Sequence, residues 1–291
     1  MDAATIGGLV LRVLRVAVIA YLAVLVLARL FESRLIFFPN IPGRLEGDWH
    51  PENLPIEDVW LHTSDGVKLH AWWIPAENAE FTFLAFHGNA GNIANRAEVY
   101  AFLQKTPANV LAVEYRGYGR SEGAPSENGL YRDAQAAYEY VTQTKRIAPR
   151  SIISFGQSLG SAVAANLAAQ ERVGGVVLEA PFPSLSAMAR RVFWFIPGIQ
   201  LAVFTQFRTD RQLKRINAPV LIVHCTDDPV IPPDLEEQVY DAAKPPKYIL
   251  RIDGRGHEEG SLIAPDQYSA ALRDFLRQVS AQSSPTIQPR P

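Results

Sequence analysis

Residues 151–170 of the chain read SIISFGQSLGSAVAANLAAQ. The segment begins with an apolar run typical of a buried strand and ends with an Ala-rich run typical of a helix. Between them stands the pentapeptide GQSLG at 156–160. A Gly-x-Ser-x-Gly motif in this position predicts a strained turn that exposes the serine hydroxyl above the edge of a sheet, with small residues that let strand and helix pass closely. We therefore predict that Ser158 is a nucleophile.

The rest of the chain alternates short apolar runs with helical patterns. Strands are predicted at 59–62, 67–74, 81–87, 109–114, 151–156, 175–179, 220–224 and 248–252, and helices at 92–105, 130–144, 161–170 and 267–279. The first two strands form a hairpin around a Ser-Asp-Gly turn. The order predicts an α/β fold, with βαβ units and right-handed crossovers that build a mostly parallel central sheet flanked by helices. No repeat of 20–50 residues is visible in the sequence, which excludes solenoids and propellers.

One segment interrupts this alternation. Residues 183–214, between the strands at 175–179 and 220–224, are rich in Phe, Trp, Ile, Leu and Val. Ligands of open α/β sheets bind at the carboxyl ends of the strands. We therefore predict that this segment is a helical cap insertion over that edge, and that it supplies an apolar acyl pocket close to a bilayer. The alternative is that its aromatic side chains form only the cap's own core.

A serine hydroxyl needs a neighbouring base to act as a nucleophile. Where this motif is catalytic, the chain order is Ser, then acid, then His, each in a loop after a later strand. Of six histidines, two follow Ser158. His224 closes an apolar strand, which predicts a hydrogen-bonded structural role, whereas His257 lies in a Gly-rich loop after the last strand. We predict that His257 is the base and that His87, at the end of an earlier strand, braces its loop.

The acid is expected after the penultimate strand, where residues 224–232 read HCTDDPVIP. The pattern alone leaves Asp227 and Asp228 as alternatives, one of which could simply cap a turn. An oxyanion hole needs two backbone N–H groups aimed at the developing charge. We predict that these donors are Leu159, directly after the nucleophile, and Asn89, in the Gly-rich loop after the strand at 81–87.

The first forty residues have a different character. Residues 16–28, VAVIAYLAVLVLA, carry no charge, and arginines flank them closely: Arg12, Arg15, Arg29 and Arg34. A helix of that length extends only about 20 Å, short of the roughly 30 Å hydrocarbon core, but snorkelling arginines and further apolar residues make spanning feasible. We predict an N-terminal transmembrane anchor over residues 1–38, and the balanced arginines leave its orientation open. The alternatives are a cleaved signal peptide and a buried core helix.

Composition limits the remaining possibilities. With 291 residues, 48% of them apolar, the chain can form one folded domain, predicted at 39–280, before a polar tail at 281–291 that we expect to be disordered. The net charge of −2 provides no excess of Lys and Arg to neutralise phosphates, so nucleic acid is not an expected partner. Cys225 is the single cysteine, and no Cys and His residues have zinc-ligand spacing. We therefore expect neither a metal nor another cofactor.

Several motifs together resemble a known family. They are FHGNAGN at 86–92, YRGYGRSEG at 115–123, PSENGLYRDA at 125–134, GQSLG at 156–160, EAPF at 179–182, and the DPVIP and GRGH loops. This set is similar to the bud-emergence-type abhydrolase proteins, single-pass membrane α/β hydrolases related to serine aminopeptidase-like domains, over about residues 30–280. The resemblance implies the α/β-hydrolase fold, with Ser158 as nucleophile and His257 as base. It also implies Asn89 as the first oxyanion donor, and it selects Asp228 over Asp227 as the acid.

Three positions depart from that family's pattern. Glu114 replaces the usual Asp, Cys225 replaces a common Gly, and Ser161 replaces a frequent second Gly after the nucleophile motif. None of these changes removes a predicted catalytic group. The resemblance therefore still implies activity, although it supplies no substrate.

The sequence favours hydrolysis of a carboxylic ester or thioester through an acyl-serine intermediate, without a cofactor. The expected partners are a membrane and a small-molecule or lipid-like ester with a hydrophobic acyl group. A second possibility is removal of fatty acyl groups from cysteines of acylated membrane proteins. Peptide hydrolysis is less favoured, because no acidic subsite for a peptide amino terminus is evident. A different class is a membrane-tethered binding module on a catalytically retired hydrolase fold.

Overall fold

A computed structural model of the chain describes residues 3–283, and its centre is an eight-stranded sheet in the order β1-β2-β4-β3-β5-β6-β7-β8. β1 pairs antiparallel with β2, and β2 with β4, whereas the other neighbours are parallel. The strands are β1 Glu57–His62, β2 Lys68–Ile74, β3 Phe81–Phe86, β4 Ala108–Val113, β5 Ile152–Gln157, β6 Gly175–Glu179, β7 Val220–Cys225 and β8 Lys247–Ile252. The predicted mostly parallel sheet, including its N-terminal hairpin, is confirmed.

Helices flank this sheet. Those within residues 3–283 are α1 Ala3–Leu30, α2 Glu32–Ile36, α3 Ala97–Leu103, α4 Glu127–Glu139, α5 Leu159–Gln170, α6 Leu185–Val192, α7 Thr209–Leu213, α8 Pro233–Ala242, α9 Gly260–Ile263 and α10 Pro265–Ser283. A 3-10 turn precedes α3, and one π-helical turn extends α4 to Thr144. The sequence analysis did not predict α8 or α9. The start of α8 is set by Pro233, which fits the first turn of a helix because its missing N–H would have no partner there.

Alternating side chains along the strands pack into two hydrophobic cores on opposite faces of the sheet. On β3, Leu84 and Phe86 contribute to the core that includes α4, α5 and α8. Phe83 and Ala85 contribute to the other core, with α3 and α10. All six residues of β3 are buried, as expected for a central strand covered on both faces. The sheet therefore holds the loops at its carboxyl ends on a rigid support.

The segment predicted as a cap, residues 183–214, contains α6, a 3-10 turn at Ile199–Ala202 and α7. The Ser184 hydroxyl caps α6 by accepting a hydrogen bond from the Ala187 N–H at 3.1 Å. The Glu127 carboxylate, at the start of α4, accepts hydrogen bonds from the backbone N–H groups of Gln206 and Phe207. These contacts fasten the segment to the helical layer beside the carboxyl ends of the strands.

The N-terminal helix is longer than the charge-free run at 16–28 indicates. α1 has 28 residues, and therefore extends about 42 Å. By length and composition, Thr5–Leu30 could cross a membrane, a property that a signal sequence near the N-terminus would share. The alternative of a buried core helix is wrong, because this part of α1 is not buried against the protein.

The C-terminal boundary also differs from the prediction. α10 continues to Ser283, so residues 281–283 are helical rather than part of a disordered tail. The rest of the predicted tail, residues 284–291, lies outside the described residues.

Candidate active site

The serine of the GQSLG motif stands on a strained turn between β5 and α5. Ser158 has a φ of +49°, a conformation that residues with a Cβ rarely adopt. The flanking glycines make this turn possible. A Cβ at Gly156 would lie 2.1 Å from the Gly160 carbonyl oxygen, and a Cβ at Gly160 would lie 2.0 Å from the carbonyl oxygen of Phe86. The motif therefore fixes the strand–helix crossing tightly, as the spacing of its small residues predicts.

Three predicted site residues, far apart in sequence, form one hydrogen-bonded chain. The Nε2 atom of His257 lies 2.8 Å from Ser158 Oγ, and its Nδ1 atom lies 2.8 Å from Asp228 Oδ2. Ser158 follows β5, Asp228 follows β7 and His257 follows β8. Parallel strands bring their carboxyl ends to one edge of the sheet, so the fold assembles this chain there.

The two aspartates that the pattern left open have different environments. Oδ1 of Asp228 accepts hydrogen bonds from the backbone N–H groups of Val230, at 2.7 Å, and Ile231, at 2.9 Å, which leaves Oδ2 for the imidazole. Asp227 is exposed, and its backbone N–H donates to the Gly254 carbonyl. The aspartate at the imidazole is thus Asp228.

Burial and charge act in opposite directions on this pair. Burial alone lowers the pKa of His257, but the hydrogen bond and negative charge of Asp228 outweigh it, so the pKa is raised above its usual value. Burial alone raises the pKa of Asp228, but the hydrogen bond from His257 and the two backbone N–H groups leave it lowered overall. The carboxylate is therefore ionised at neutral pH and stabilises a protonated imidazole.

Both predicted oxyanion donors lie in segments that the structure holds in place. Leu159 is the first residue of α5, where a backbone N–H has no partner within the helix. The Asn89 carbonyl accepts hydrogen bonds from the Phe38 N–H and the Tyr118 hydroxyl, each at 2.9 Å. The Asn89 side chain donates to the Ile36 carbonyl at 3.1 Å. None of these three bonds uses the Asn89 N–H, so the contacts that fix the loop do not occupy the predicted donor.

The His87 ring is hydrogen-bonded to the Gly88 carbonyl and to Glu114. Its Nε2 atom is 3.2 Å from Oε1 of Glu114, and both side chains are fully buried. Oε2 of Glu114 accepts a hydrogen bond from the Ile93 N–H at 3.2 Å. A Cβ at Gly119 would lie 2.0 Å from the same oxygen, so this glycine leaves room for the longer carboxylate where the related family usually has Asp. His87 therefore has the bracing contacts that its position predicts.

Within residues 3–283, one of the two ring nitrogens of His224 has a hydrogen-bond partner. Its Nε2 atom donates to the Ile231 carbonyl at 3.1 Å, because a carbonyl can only accept. Its Nδ1 atom is buried and has no hydrogen-bond partner among residues 3–283. Burial lowers the pKa of His224. The hydrogen-bonded role predicted for His224 thus applies to one ring nitrogen, and that nitrogen supports the loop of Asp228.

A buried carboxyl group that the sequence analysis did not assign connects the loops of this site. Glu179, the last residue of β6, accepts hydrogen bonds from Gln157 Nε2 and from the Gly260 N–H, both at 3.0 Å. Burial, the largest cause, raises the pKa of Glu179 to about 8. The sequence signals were its position at the end of an apolar strand and its place in the EAPF motif at 179–182. Its neighbours show that it joins β5, which precedes Ser158, to the segment after His257.

An ion pair makes a second connection. Arg96 Nη2 donates to Glu258 Oε2 at 2.9 Å and to the Ala90 carbonyl at 3.1 Å. Glu258 directly follows His257, and a Cβ at Gly88 would lie 1.9 Å from its Oε1 atom. Arg96 therefore links the loop of His257 to the loop that carries Asn89. Within residues 3–283, no group of three or more His, Cys, Asp or Glu side chains is arranged to hold a metal ion.

The chain matches several known proteins. A family model described as alpha/beta hydrolase fold matches residues 82–200. The alpha/beta hydrolase domain-containing protein WAV2 of Arabidopsis thaliana is 37% identical over 232 residues, which cover 72% of this chain and 75% of WAV2. An uncharacterized protein of Mycobacterium tuberculosis is 32% identical over 252 residues, which cover 86% of this chain and 88% of that protein.

A solved structure has the same architecture. An esterase of Pyrococcus furiosus superposes with a TM-score of 0.67 at 22% identity, over 84% of this chain and 98% of its own. At this identity the likeness concerns the fold, and it confirms the α/β-hydrolase fold that the motifs implied. The sequence matches cover most of this chain and most of each relative, at more than 30% identity. The chain therefore belongs to the α/β-hydrolase domain-containing family.

Proposed function

We propose that this protein is a serine hydrolase that cleaves a carboxylic ester or thioester with a hydrophobic acyl group. The observation that carries the proposal is the hydrogen-bonded chain from Ser158 through His257 to Asp228, with 2.8 Å at each link. A serine, an imidazole and a carboxylate in this order are the parts needed to activate a hydroxyl for acyl transfer.

In the first half of the proposed reaction, Ser158 Oγ attacks the carbonyl carbon while Nε2 of His257 accepts the hydroxyl proton. The imidazolium that forms is stabilised by Asp228, whose carboxylate lies 2.8 Å from Nδ1. The negative charge on the carbonyl oxygen is stabilised by the N–H groups of Leu159 and Asn89. His257 then returns the proton to the departing alcohol or thiol, which leaves an acyl-serine.

In the second half, a water molecule attacks the acyl-serine carbonyl. His257 accepts a proton from this water, and the same N–H groups stabilise the second oxyanion. When the intermediate collapses, the proton passes from His257 to Ser158 Oγ and the carboxylic acid leaves. No redox step and no additional reactant besides water are required.

The preference for a hydrophobic acyl group rests on the N-terminal part of the chain. We propose that α1 is an uncleaved membrane anchor, because Thr5–Leu30 is long and apolar enough to span and is not buried in the protein. The same features support placement in the bud-emergence-type group of single-pass membrane hydrolases. Tethering at a bilayer makes lipid-derived esters locally abundant.

A second candidate is removal of a fatty acyl group from a cysteine of a membrane protein. The observation that favours it is the exposed aromatic surface of the cap, where Trp194 is 77% and Phe195 62% exposed. Thioester cleavage uses the same atoms, since a thiolate is a better leaving group than an alkoxide.

The experiment that tests the proposal is labelling of the purified full-length chain with a fluorophosphonate, followed by mapping of the adduct by mass spectrometry. The reagent reacts with activated serines, so the proposal predicts a single adduct at Ser158 and loss of ester hydrolysis in proportion to labelling. A catalytically retired binding module would remain unlabelled. An adduct at another serine would also contradict the assignment.

A further inference from the structure

An apolar cavity of about 480 Å³ lies between the N-terminal helices and the cap. Ala28 lines it from α1, Met188 and Val192 line it from α6, and Ile199 lines it from the following 3-10 turn. Its volume lies within the roughly 300–1,000 Å³ of small-molecule sites. The membrane helix is therefore one wall of a binding-sized cavity.

One stripe of the N-terminal helix faces the folded domain. Tyr21, Leu25 and Ala28 are partly buried, whereas their neighbours on α1 are exposed, and Glu32, at the start of α2, is buried. The spacing of four and three residues places Tyr21, Leu25 and Ala28 on one face of α1. The stripe shows that α1 is a packed part of the cavity wall and not only a tether.

Specific contacts hold the cap against this stripe. The Glu32 carboxylate accepts hydrogen bonds from the N–H groups of Phe204, at 2.8 Å, and Thr205, at 2.7 Å. The Tyr21 hydroxyl donates to the Pro197 carbonyl. The guanidinium of Arg29 lies 4.4 Å from the centre of the Phe204 ring. Glu32 is the one acidic residue that lines the cavity, and its carboxylate is hydrogen-bonded to these two N–H groups. The rest of the lining is apolar.

The cavity adjoins the proposed catalytic residues through two of its lining residues. Val230 lines it, and the Val230 N–H donates to Asp228 at 2.7 Å. Ile36 also lines it, and the Ile36 carbonyl accepts a hydrogen bond from the Asn89 side chain. One segment holds the acid and the other holds the oxyanion loop, so the cavity lies beside the site where an acyl group would be bound.

The cap, like α1, has large apolar side chains exposed on its outer surface. The cap exposes Trp194, Leu201 and Phe204 by 77%, 76% and 62%. Tyr21 contacts the cap at Pro197, which we call the tip of the cap. Tyr21 precedes Leu30, the last residue of α1, by nine residues, or about 13 Å along the helix axis. If α1 spans a bilayer with a core of roughly 30 Å, the tip lies within the hydrocarbon of one leaflet.

We propose that this cavity binds the long acyl chain of a bilayer-dissolved lipid ester, and that the chain enters it directly from the membrane between α1 and α6. The proposal rests on the proposed function, because it assigns the acyl subsite of the same hydrolase. It adds that the anchor helix itself determines chain-length preference. The occupant is a fatty acyl chain because the lining is apolar, one wall is the helix that we propose as the membrane anchor, and the lining residues Val230 and Ile36 contact Asp228 and Asn89.

The test uses the full chain in phosphatidylcholine vesicles with 4-nitrophenyl acetate and 4-nitrophenyl palmitate. Ala28→Trp fills the cavity from α1, and Ala189→Trp fills it from α6. Ala23→Trp makes the same change on the exposed side of α1 and is the matched control. We expect the ratio of kcat/KM for palmitate to kcat/KM for acetate to fall at least tenfold in both cavity variants. This is the effect of losing the contacts of about two methylene groups. In Ala23→Trp we expect the ratio to stay within twofold of that of the wild type.

A binding measurement separates this inference from the proposed function. Ser158→Ala protein in the same vesicles is irradiated with a palmitoyl ester that carries a diazirine in mid-chain. We expect crosslinks to Met188 or Val192, and we expect Ala28→Trp to reduce them, whether or not the protein turns over esters.

Two results would overturn the inference and leave the proposed function standing. One is hydrolysis of both esters with the same chain-length ratio in all variants, or with an equal decrease in Ala23→Trp. The other is crosslinking confined to the exposed side of α1, which would leave the cavity to another occupant, such as a second copy of the chain. Crosslinks in the cavity without fluorophosphonate labelling or ester turnover would instead contradict the proposed function alone.

Discussion

Glu179 holds Gly260 by a 3.0 Å hydrogen bond from the glycine N–H to Oε1, although the two residues are 81 positions apart. The Tyr268 hydroxyl lies 3.4 Å from the other carboxyl oxygen. Gly260 comes three residues after His257, and the partner Gln157 directly precedes Ser158. A single buried carboxyl group therefore connects the backbone on either side of the proposed nucleophile–base contact.

This carboxyl group predicts a pH dependence of stability. The pKa of Glu179 is raised from 4.5 to about 8, mainly by burial. Between these values the unfolded chain ionises this group while the folded chain keeps it protonated, so its contribution to stability is complete below pH 4.5 and is lost as pH rises through 8. Glu179→Gln removes the titration. We expect the stability of the wild type relative to Glu179→Gln to fall by a few kcal/mol, on the order of 3–5, between pH 5 and 9.

The measurement is the free energy of unfolding by urea in detergent micelles, for both proteins at each pH. Other titrating groups cancel in the difference. Parallel pH curves for the two proteins would show that Glu179 is ionised in the folded state.

The two aspartates after β7 provide a matched pair of variants. Asp228→Asn should lower kcat by a factor on the order of 10³–10⁴, because the imidazole loses both its orienting acceptor and the charge that stabilises its protonated form. Asp227→Asn should change kcat by no more than a few-fold, since Asp227 is exposed. Steady-state kinetics on a short-chain ester gives both values. The opposite ranking would assign the acid to Asp227.

The raised pKa of His257 predicts the pH profile of the reaction. The base must be neutral to accept the serine proton, so kcat/KM should rise with pH and level off above the pKa of His257. Asp228 holds this pKa above its ordinary value of 6.5. The apparent pKa of kcat/KM, measured from pH 5 to 9 with a soluble ester, should therefore exceed 6.5. A profile already flat at pH 6 is incompatible with this environment for the base.

The exposed aromatic surface of the cap predicts immersion in lipid. Trp194 is 77% exposed and follows Arg190 and Arg191, an arrangement suited to the interface between headgroups and acyl chains. In vesicles that contain brominated lipids we expect strong quenching of Trp194 fluorescence. Trp194→Phe serves as the control and should remove the quenched component. Equal quenching of the wild type and Trp194→Phe would place the cap outside the bilayer.

The parts of this molecule that were predictable from sequence are governed by local patterns. The strand–GQSLG–helix stretch predicted the turn at Ser158, because the glycines needed for close packing are adjacent in the chain. The alternation of strands and helices predicted the sheet, because burial on both faces gives short apolar runs. The order of Ser, acid and His predicted Ser158 and His257, and the family resemblance selected Asp228; in the structure His257 lies 2.8 Å from each of the other two.

The remaining features depend on partners distant in the chain. Arg96 and Glu258 are 162 residues apart, and Glu32 and Phe204 are 172 residues apart. No short pattern marks such pairs, so the links between loops and the contact of α2 with residues 183–214 could not be predicted. The charge-free run at 16–28 is shorter than α1 for a different reason: Arg12 and Arg15 interrupt the apolar run but not the helix, since arginine is a good helix former.

The central claim is that Ser158 is the nucleophile of an ester hydrolase, and the most direct measurement is the turnover of a short-chain ester by purified Ser158→Ala protein. Ala has nearly the same size, and the turn is held by Gly156 and Gly160, so the variant should fold as the wild type does by circular dichroism. We predict a fall in kcat on the order of 10⁴–10⁶. Turnover by well-folded Ser158→Ala protein within tenfold of the wild type would contradict the account.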